Sequence, residues 1–409
     1  MAPNETRHGV WLGERRVGTL NQRGDHTWFG FTEEYREDPQ RPVLGLVFEE
    51  DPDRRHSSSL RVPPWFSNLL PEGPQRRWIA AGRGVSVDRE MELLAQVGHD
   101  LPGAVRVLAE DAVPEQWDPS ADVPDPYRGV AEQERWRFSL AGVGLKFSMV
   151  SEGDRLTLPA HGEGGDWIVK LPDRVYPDVP RNEFAMMSLA RAVGIDVPEI
   201  RLVHRSKLDR LPEKVWPNEE WAYAVERFDR ADGGRRIHIE DLAQVRDFYP
   251  DGKYRGNYET AASLLYRRHD LGSLLEFVRR LVFSIMISNG DAHLKNWSLI
   301  YRDGRSPSIS PAYDLVCTAP YRDDGPEDLA LRLGGGERAF DRIGLRAFAR
   351  LAERLRVAPE GVTEVVVETV DAVVAEWPRH AGLLDASPRL QEVLDASVSA
   401  RAKTLLSAD

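Results

Sequence analysis

Residues 289–296 read NGDAHLKN, and SPAYDLV follows at 310–316. Asp291 and Asn296 stand five residues apart, the separation between the base and the metal-binding Asn of a protein-kinase catalytic loop. That spacing lets the carboxylate face a hydroxyl nucleophile while the amide oxygen turns back onto a cation. Asp314, after a short strand pair, supplies the second metal contact. Mg2+ prefers hard oxygen ligands and takes few of them from protein, so one Asp and one Asn beside phosphate oxygens suffice. His293 and Lys295 either brace this loop or touch phosphate. No second His or Cys lies at ligand spacing, which argues against zinc. A solvated polar turn has a similar composition, so the remainder of the chain must decide.

Phosphoryl transfer also needs a loop over the phosphates and a cation on them. The loop candidate is SLAGVGLK at 139–146, where Gly142 and Gly144 let backbone N–H groups approach phosphate oxygens. Glycines in a hairpin are common, and this segment gains weight only from its neighbours. Lys170 lies in a strand otherwise built from Trp167, Ile168, Val169 and Leu171, where a lysine is costly unless it has a partner. A triphosphate is such a partner, and Glu183 near the start of the next helix can hold the ammonium. A snorkelling edge-strand lysine is the bland alternative. Between Lys170 and Asp291 lies AVERFDR at 224–230, positioned to link two lobes, with the backbone of Glu226, Arg227 and Phe228 available to adenine and Phe228 to pack on the base.

The chain has 409 residues, enough for two or three domains. With 54 Lys and Arg against 66 Asp and Glu, the net charge of −12 argues against broad sequence-independent binding of nucleic acid. RWRF at 135–138 and ARLAERLRV at 349–357 read as solvated faces. No apolar run reaches the roughly 20 residues of a membrane span, and MAPNETRHGV lacks the apolar core of a signal peptide. The single cysteine, Cys317, fits a reducing cytoplasm and a small buried hydrophobe.

Residues 10–49 read as strands, with GVWLGERRVGTL as a hairpin around Glu14 and Arg15 and PVLGLVFEE as a further β segment. A Pro-punctuated loop enters a helix after Gly73. VDREMELLAQVG forms another, with Asp88 as its N-cap and Gly98 as its stop. The four prolines and many acids of 110–134 mark a linker. Strands then resume to about 230, with a helix from Asn182 to Gly194, and beyond about 255 the character is helical. In LGSLLEFVRRLVFSIMIS, Leu271, Leu274, Leu275, Val278, Leu281, Val282, Ile285 and Met286 follow the 3.6-residue period. Three more amphipathic helices fill 340–407. The expected divisions are 1–109, a linker at 110–134, a kinase N-lobe at 135–230 and a helical C-lobe at 231–409. The fold class is α+β, a bilobal protein-kinase-like fold behind a β-rich N-terminal domain.

NLLPEG (68–73), SLAG (139–142), IVKLP (168–172), NEFAMMSLARAVGI (182–195), VERFDR (225–230), NGDAHLKN and PAYDL, in this order, closely resemble the HipA-type toxin kinases. The resemblance covers nearly the whole chain, including QVGHDLPGAVRV at 96–107. It implies an ATP- and Mg2+-dependent serine/threonine protein kinase. Such a kinase is the toxin of a two-protein module, partnered by a small HipB-like helix-turn-helix antitoxin that carries the DNA binding. It implies Asp291 as catalytic base, Asn296 and Asp314 as Mg2+ ligands, and Lys170 as the ATP lysine. Ala141, Gly142, Val143, Gly144 and Lys146 become the phosphate loop. Glu226, Arg227, Phe228, His293, Lys295 and Tyr313 become further nucleotide contacts, and Ser139 the autophosphorylated serine. In the best-known members the target is an aminoacyl-tRNA synthetase. Many relatives read SLAGAQ-K where this chain has Val143 and Gly144, which leaves the loop's contacts and the fate of Ser139 open.

Two other readings stand beside this one. Small-molecule kinases of the aminoglycoside or choline type share the Gly-Asp-x-His-x-x-Asn pattern, although NLLPEG and SLAG favour the toxin family. A catalytically silent scaffold binding an antitoxin or regulator is the second, and the full set of polar groups speaks against it.

Overall fold

The computed structural model describes residues 5–110, 144–159, 164–321 and 328–407. The first sheet is built from β1 (Glu5–Leu12), β2 (Arg15–Arg23), β3 (His26–Phe31), β4 (His56–Ser59) and β5 (Val105–Ala109), in the order β4-β3-β2-β1-β5. β1 and β2 form the expected hairpin, Leu12 opposite Arg15, with Gly13 at φ 60 supplying the left-handed turn residue. The sheet buries Val10, Val17, Leu20 and Phe29 against Trp65 and Phe66. Two helices complete this layer: α1 (Gly73–Arg83) and α2 (Glu90–Val97).

Two local expectations fail here. PVLGLVFEE is not a strand; Leu46–Glu50 is a helical turn that buries Val47 and Phe48. A short apolar run has no period long enough to distinguish strand from helix, and tertiary packing decides. Nor does Asp88 cap α2: Arg89 stands at the N-cap without a side-chain hydrogen bond, although Gly98 does end the helix.

The second sheet comprises β6 (Lys146–Glu152), β7 (Arg155–Thr157) and β8 (Trp167–Lys170). After α3 (Val179–Ala192) come β9 (Ile200–His204), β10 (Leu208–Asp209) and β11 (Trp221–Glu226), in the order β10-β7-β6-β8-β11-β9. α3 begins three residues before Asn182, with Pro180 in its first turn, and Gly194 follows it at φ 84. Trp78 of α1 belongs to the core of this second sheet and meets Phe147 edge-on, with ring centroids 6.2 Å apart.

The third region starts with β12 (His238–Asp241) and the short α4 (Leu242–Val245), which Asp241 opens with a capping box to Gln244. It continues through α5 (Tyr258–Tyr266), α6 (Leu271–Met286), β13 (Ser298–Tyr301) and β14 (Ser308–Ile309) to α7 (Leu345–Leu355), α8 (Pro359–His380) and α9 (Pro388–Leu405). α6 is the central element. Asp270 caps it by accepting from Ser273 N–H at 2.9 Å, and Leu274, Phe277, Val278, Leu281, Val282 and Ile285 are fully buried. Each such side chain contributes about 2 kcal/mol on burial. Leu271, read from the period as part of this stripe, is half exposed because it lies in the first turn, before the core begins. Among the described residues no helix is long and apolar enough to cross a membrane.

The three regions are held together by buried polar groups as well as apolar ones. Glu240 of β12 accepts from Leu46 N–H at 3.0 Å and Trp65 Nε1 at 3.0 Å, both in the N-terminal region, and from Tyr301 OH. Burial pushes its carboxyl up to about 7, against the opposing pull of those donors. A folded-state pKa above the unfolded 4.5 means a stabilising contribution present in full below 4.5 and lost as pH rises through about 7. Glu240→Gln should therefore flatten the pH profile: between pH 5 and pH 8 the wild type is expected to lose about 3 kcal/mol more stability than the variant. Urea titrations at the two pH values measure this, and parallel profiles would overturn it.

Candidate active site

The segment that follows α6 is fixed from several sides. Ser288, at φ 52, turns the chain away from the helix. Thr318 Oγ1 accepts from Gly290 N–H at 2.8 Å and donates to Ser288 O at 3.0 Å. Asn289 Oδ1 accepts from Asp291 N–H at 3.0 Å. Tyr258 OH and Trp297 Nε1 both donate to Ala292 O, at 3.0 and 3.2 Å. Asn296 Nδ2 donates to Asp291 O at 3.1 Å, which turns its Oδ1 the other way, where a cation can use it.

Asp291 is buried apart from a small opening, and its Oδ1 accepts a hydrogen bond from Tyr254 OH at 2.7 Å. His293 is 3 % exposed, edge-on to Tyr254 at 5.2 Å, and among the described residues neither ring nitrogen has a hydrogen-bond partner. Burial, then the neighbouring Lys253, push its pKa down to about 3, so the imidazole is neutral. Lys295 makes the contacts of a brace. Its ammonium donates to Asn68 O at 2.9 Å and Asn68 Oδ1 at 3.2 Å, with Glu72 at 3.2 Å and Asp241 at 3.6 Å.

Lys170, at the end of β8, reaches across to the third region. Its Nζ donates to Glu183 Oε1 of α3 at 2.6 Å and to Asp314 Oδ1. Burial alone would lower the lysine's pKa; Asp314 and Glu183 overcome it and raise it. Burial lifts Glu183 to about 7, while Lys170 and Lys146 hold Asp314 below its ordinary value. Asp314 has φ 56, a left-handed conformation that Asp tolerates better than most residues and that recurs at functional sites. Its segment is anchored to α3 by Asn182, which accepts from Cys317 N–H at 3.0 Å and donates to Cys317 O at 2.8 Å. Cys317 itself is buried.

Lys146 pairs with Lys170 across the β6–β8 ladder, so both side chains leave the same face. Like charges directly opposite each other are destabilising unless anions lie between them. A cleft opens there, lined by Gly144, Lys146, Lys170, Asp173 and Glu183. Asn296, Tyr313 and Asp314 line a second, small cavity with Asn289. Among the described residues no group of three or more His, Cys, Asp or Glu side chains is arranged to hold a metal. One Asp and one Asn lining the same cavity are, however, a donor set that fits Mg2+ when phosphate and water supply the other oxygens.

At the end of β11 the side chains do something that spacing did not reveal. Arg227 is buried in an ion-pair network with Asp229 (2.9 Å) and Asp100 (2.9 Å), and Arg230 joins the same two carboxylates at 2.9 and 2.7 Å. Burial raises the Asp100 carboxyl, but the two guanidinium groups overcome this and hold it at about 2. Asp229 Oδ2 also accepts from Gly103 N–H at 2.6 Å. The network joins QVGHDLPG of the N-terminal region to VERFDR, so the Arg227 side chain faces that region. Its N–H is spent on Asp166 O, and that of Glu226 on Glu199 O, each at 2.8 Å. A base docking here would be left the Glu226 carbonyl and the Phe228 backbone. Phe228 stacks on Tyr313 at 5.9 Å, and Tyr313 OH donates to Lys295 O at 2.9 Å.

Lys146, Lys170 and Glu183 line one cleft, Asn296 and Asp314 line another, the Lys170–Asp314 ion pair joins the two sets, and Asp291 is tied to Asn296 through its backbone carbonyl. Ser139, Ala141, Gly142 and Val143, like most of the expected linker and RWRF, lie outside the described residues. Sequence reasoning passed over Tyr254 and Lys253 and gave no side-chain role to Glu72 of NLLPEG or to Asn182, whose partners are far away in the chain and leave no periodic signal. The Arg-x-Asp-Arg pattern of 227–230 was the one available sign of an ion network.

The comparisons with known proteins agree with this architecture. Residues 138–377 match the HipA-like C-terminal domain, and residues 8–108 the HipA N-terminal domain. The protein Y4dM of Sinorhizobium fredii is 42% identical over 405 residues, covering 96% of each chain. The serine/threonine-protein kinase toxin HipA of Shewanella oneidensis is 26% identical over 344 residues, covering 76% of this chain and 75% of its own. A solved structure of Shewanella oneidensis HipA, with HipB and operator DNA, superposes with a TM-score of 0.77 at 21% identity, covering 97% of each chain. A β-rich N-terminal region, a sheet lobe bearing a lysine and a helical lobe bearing NGDAHLKN are therefore the parts of a shared bilobal kinase fold, and the chain belongs to the HipA family of serine/threonine kinases.

Proposed function

We propose that this protein transfers the terminal phosphoryl group of Mg-ATP to a serine or threonine hydroxyl of a protein, and acts as the toxin of a toxin–antitoxin pair. The observation that carries the reaction is the Lys170 ammonium held between Glu183 and Asp314, which joins the phosphate-binding strand to the loop beside Asn296. Lys170 and Lys146 hold phosphate oxygens, and Asn296 and Asp314 hold Mg2+. Mg2+ bound there offsets negative charge on the phosphate oxygens. Asp291 orients the acceptor hydroxyl and takes its proton as the new oxygen–phosphorus bond forms and ADP leaves.

Family membership supports a translation component, such as an aminoacyl-tRNA synthetase, as the acceptor. The solved HipA–HipB–operator complex of the Shewanella protein supports a helix-turn-helix antitoxin as partner, with DNA engaged mainly through it. The reading also places the protein in the cytoplasm. Phosphoproteomics of cells expressing the wild type or an inactive variant tests the substrate class. New serine or threonine phosphosites on a translation protein are expected; label transferred only to an aminoglycoside or choline would overturn the reading.

Ser139 is the proposed site of autophosphorylation. A phosphate there adds roughly −1.5 to −2 charge beside the nucleotide's own phosphates, and repulsion switches the kinase off. Incubation with Mg-ATP followed by phosphosite mapping is expected to show Ser139 modified as activity decays. A fully active enzyme stoichiometrically phosphorylated on Ser139 would overturn this.

A further inference from the structure

NLLPEG, at 68–73, lies in the N-terminal region, yet its glutamate sits beside the candidate catalytic loop. Glu72 Oε2 accepts from Lys253 Nζ at 2.8 Å, and Oε1 lies 3.2 Å from Lys295 Nζ. Lys253 is 8 % exposed, and Glu72 is its ion-pair partner among the described residues. Burial works against the Glu72 charge, but the two ammonium groups overcome it and hold the carboxyl well below its usual range. Lys295 has a second carboxylate, Asp241, at 3.6 Å.

Both arms of this bridge end on Asp291. Lys253 precedes Tyr254, whose hydroxyl donates to Asp291 Oδ1, and Lys253 O accepts from Leu294 N–H at 3.1 Å inside the loop. Lys295 precedes Asn296, whose Nδ2 holds Asp291 O. Without the carboxylate, two buried ammonium groups would face each other beside the His293 ring, with repulsion strengthened by burial. The loop would relieve it by moving Lys253 or Lys295, and Asp291 with them.

We propose that Glu72 is a positioning residue for phosphoryl transfer: the N-terminal domain sets the place of Asp291 by clamping Lys253 and Lys295 with one carboxylate. This rests on the kinase reading above. Misplacing a reacting group by about 1 Å is enough to cost about 100-fold in rate. The ion-pair partners of Glu72 are Lys253 and Lys295, not Lys146, Lys170, Asn296 or Asp314, and the ammonium of Lys295 is already engaged by Asn68 and Asp241.

Glu72→Gln in the full chain tests the clamp, because glutamine keeps the shape and removes the charge. The expected result is a fall in kcat of about 10- to 100-fold with KM for ATP within about twofold of wild type. Amide hydrogen exchange over 289–296 should rise, and Glu72→Asp should recover part of both. A kcat within about twofold of wild type with unchanged exchange would overturn the proposal. So would a parallel loss of ATP affinity and global stability, which marks a general packing role. A wild-type chain that transfers no phosphoryl group would overturn the kinase reading instead; the exchange readout would then still decide whether Glu72 holds the loop, unchanged exchange counting against it.

Discussion

Asp291→Asn is expected to lower phosphoryl transfer by about 10³-fold while leaving the melting temperature nearly unchanged. Asparagine has the shape of aspartate, and its oxygen can still accept from Tyr254 OH, the contact made by Oδ1 at 2.7 Å. Asn289 Oδ1 would continue to accept from the residue-291 N–H, because that bond uses the backbone. What the variant loses is a basic oxygen for the acceptor's proton. Radiolabelled ATP measures the transfer, and thermal melting checks the fold. Growth inhibition on expression should disappear in parallel. A variant retaining more than about a tenth of wild-type transfer would show that Asp291 is not the base.

Asp314→Asn is expected to be comparably severe, at about 10²- to 10³-fold, for a different reason. Asparagine is the appropriate probe because residue 314 sits at φ 56, where Asn is tolerated and Ala adds backbone strain. The substitution removes an anionic oxygen from the cavity shared with Asn296 and one of the two carboxylates on Lys170. Its signature should differ from that of Asp291→Asn. Mg-ATP should raise the melting temperature of the wild type and of Asp291→Asn, and fail to do so for Asp314→Asn. An undiminished Mg-ATP shift in Asp314→Asn would remove Asp314 from the metal site.

The order of parts around this site was legible because each carries a local signature. The 3.6-residue period of α6, the lone lysine in the Trp-Ile-Val-Lys strand and the Asp–Asn spacing are all properties of short segments. The helical turn at Leu46–Glu50 was read as strand because five residues hold too little periodicity to decide. The segment read as a lobe link, 224–230, carries an ion network that the spacing did not reveal. Arg227 packs against Asp100, 127 positions away, and no local rule anticipates such a pairing. Lys253 and Tyr254 escaped notice, and Glu72 was read only as part of NLLPEG, for the same reason: their contacts arise when distant segments converge on one loop.

The ion network at Arg227 and Arg230 has a mechanical consequence. Separating buried charges of this kind leaves an uncompensated ion at a cost of about 3–5 kcal/mol. Together with the Glu72 bridge, it pins the N-terminal domain to both walls of the cleft along one flank. Among the described residues, none from that domain lines the flank at Lys146, Asp173 and Glu183. The cleft is thus built like a book bound along one edge. Parting the walls therefore costs more along the pinned flank than along the other.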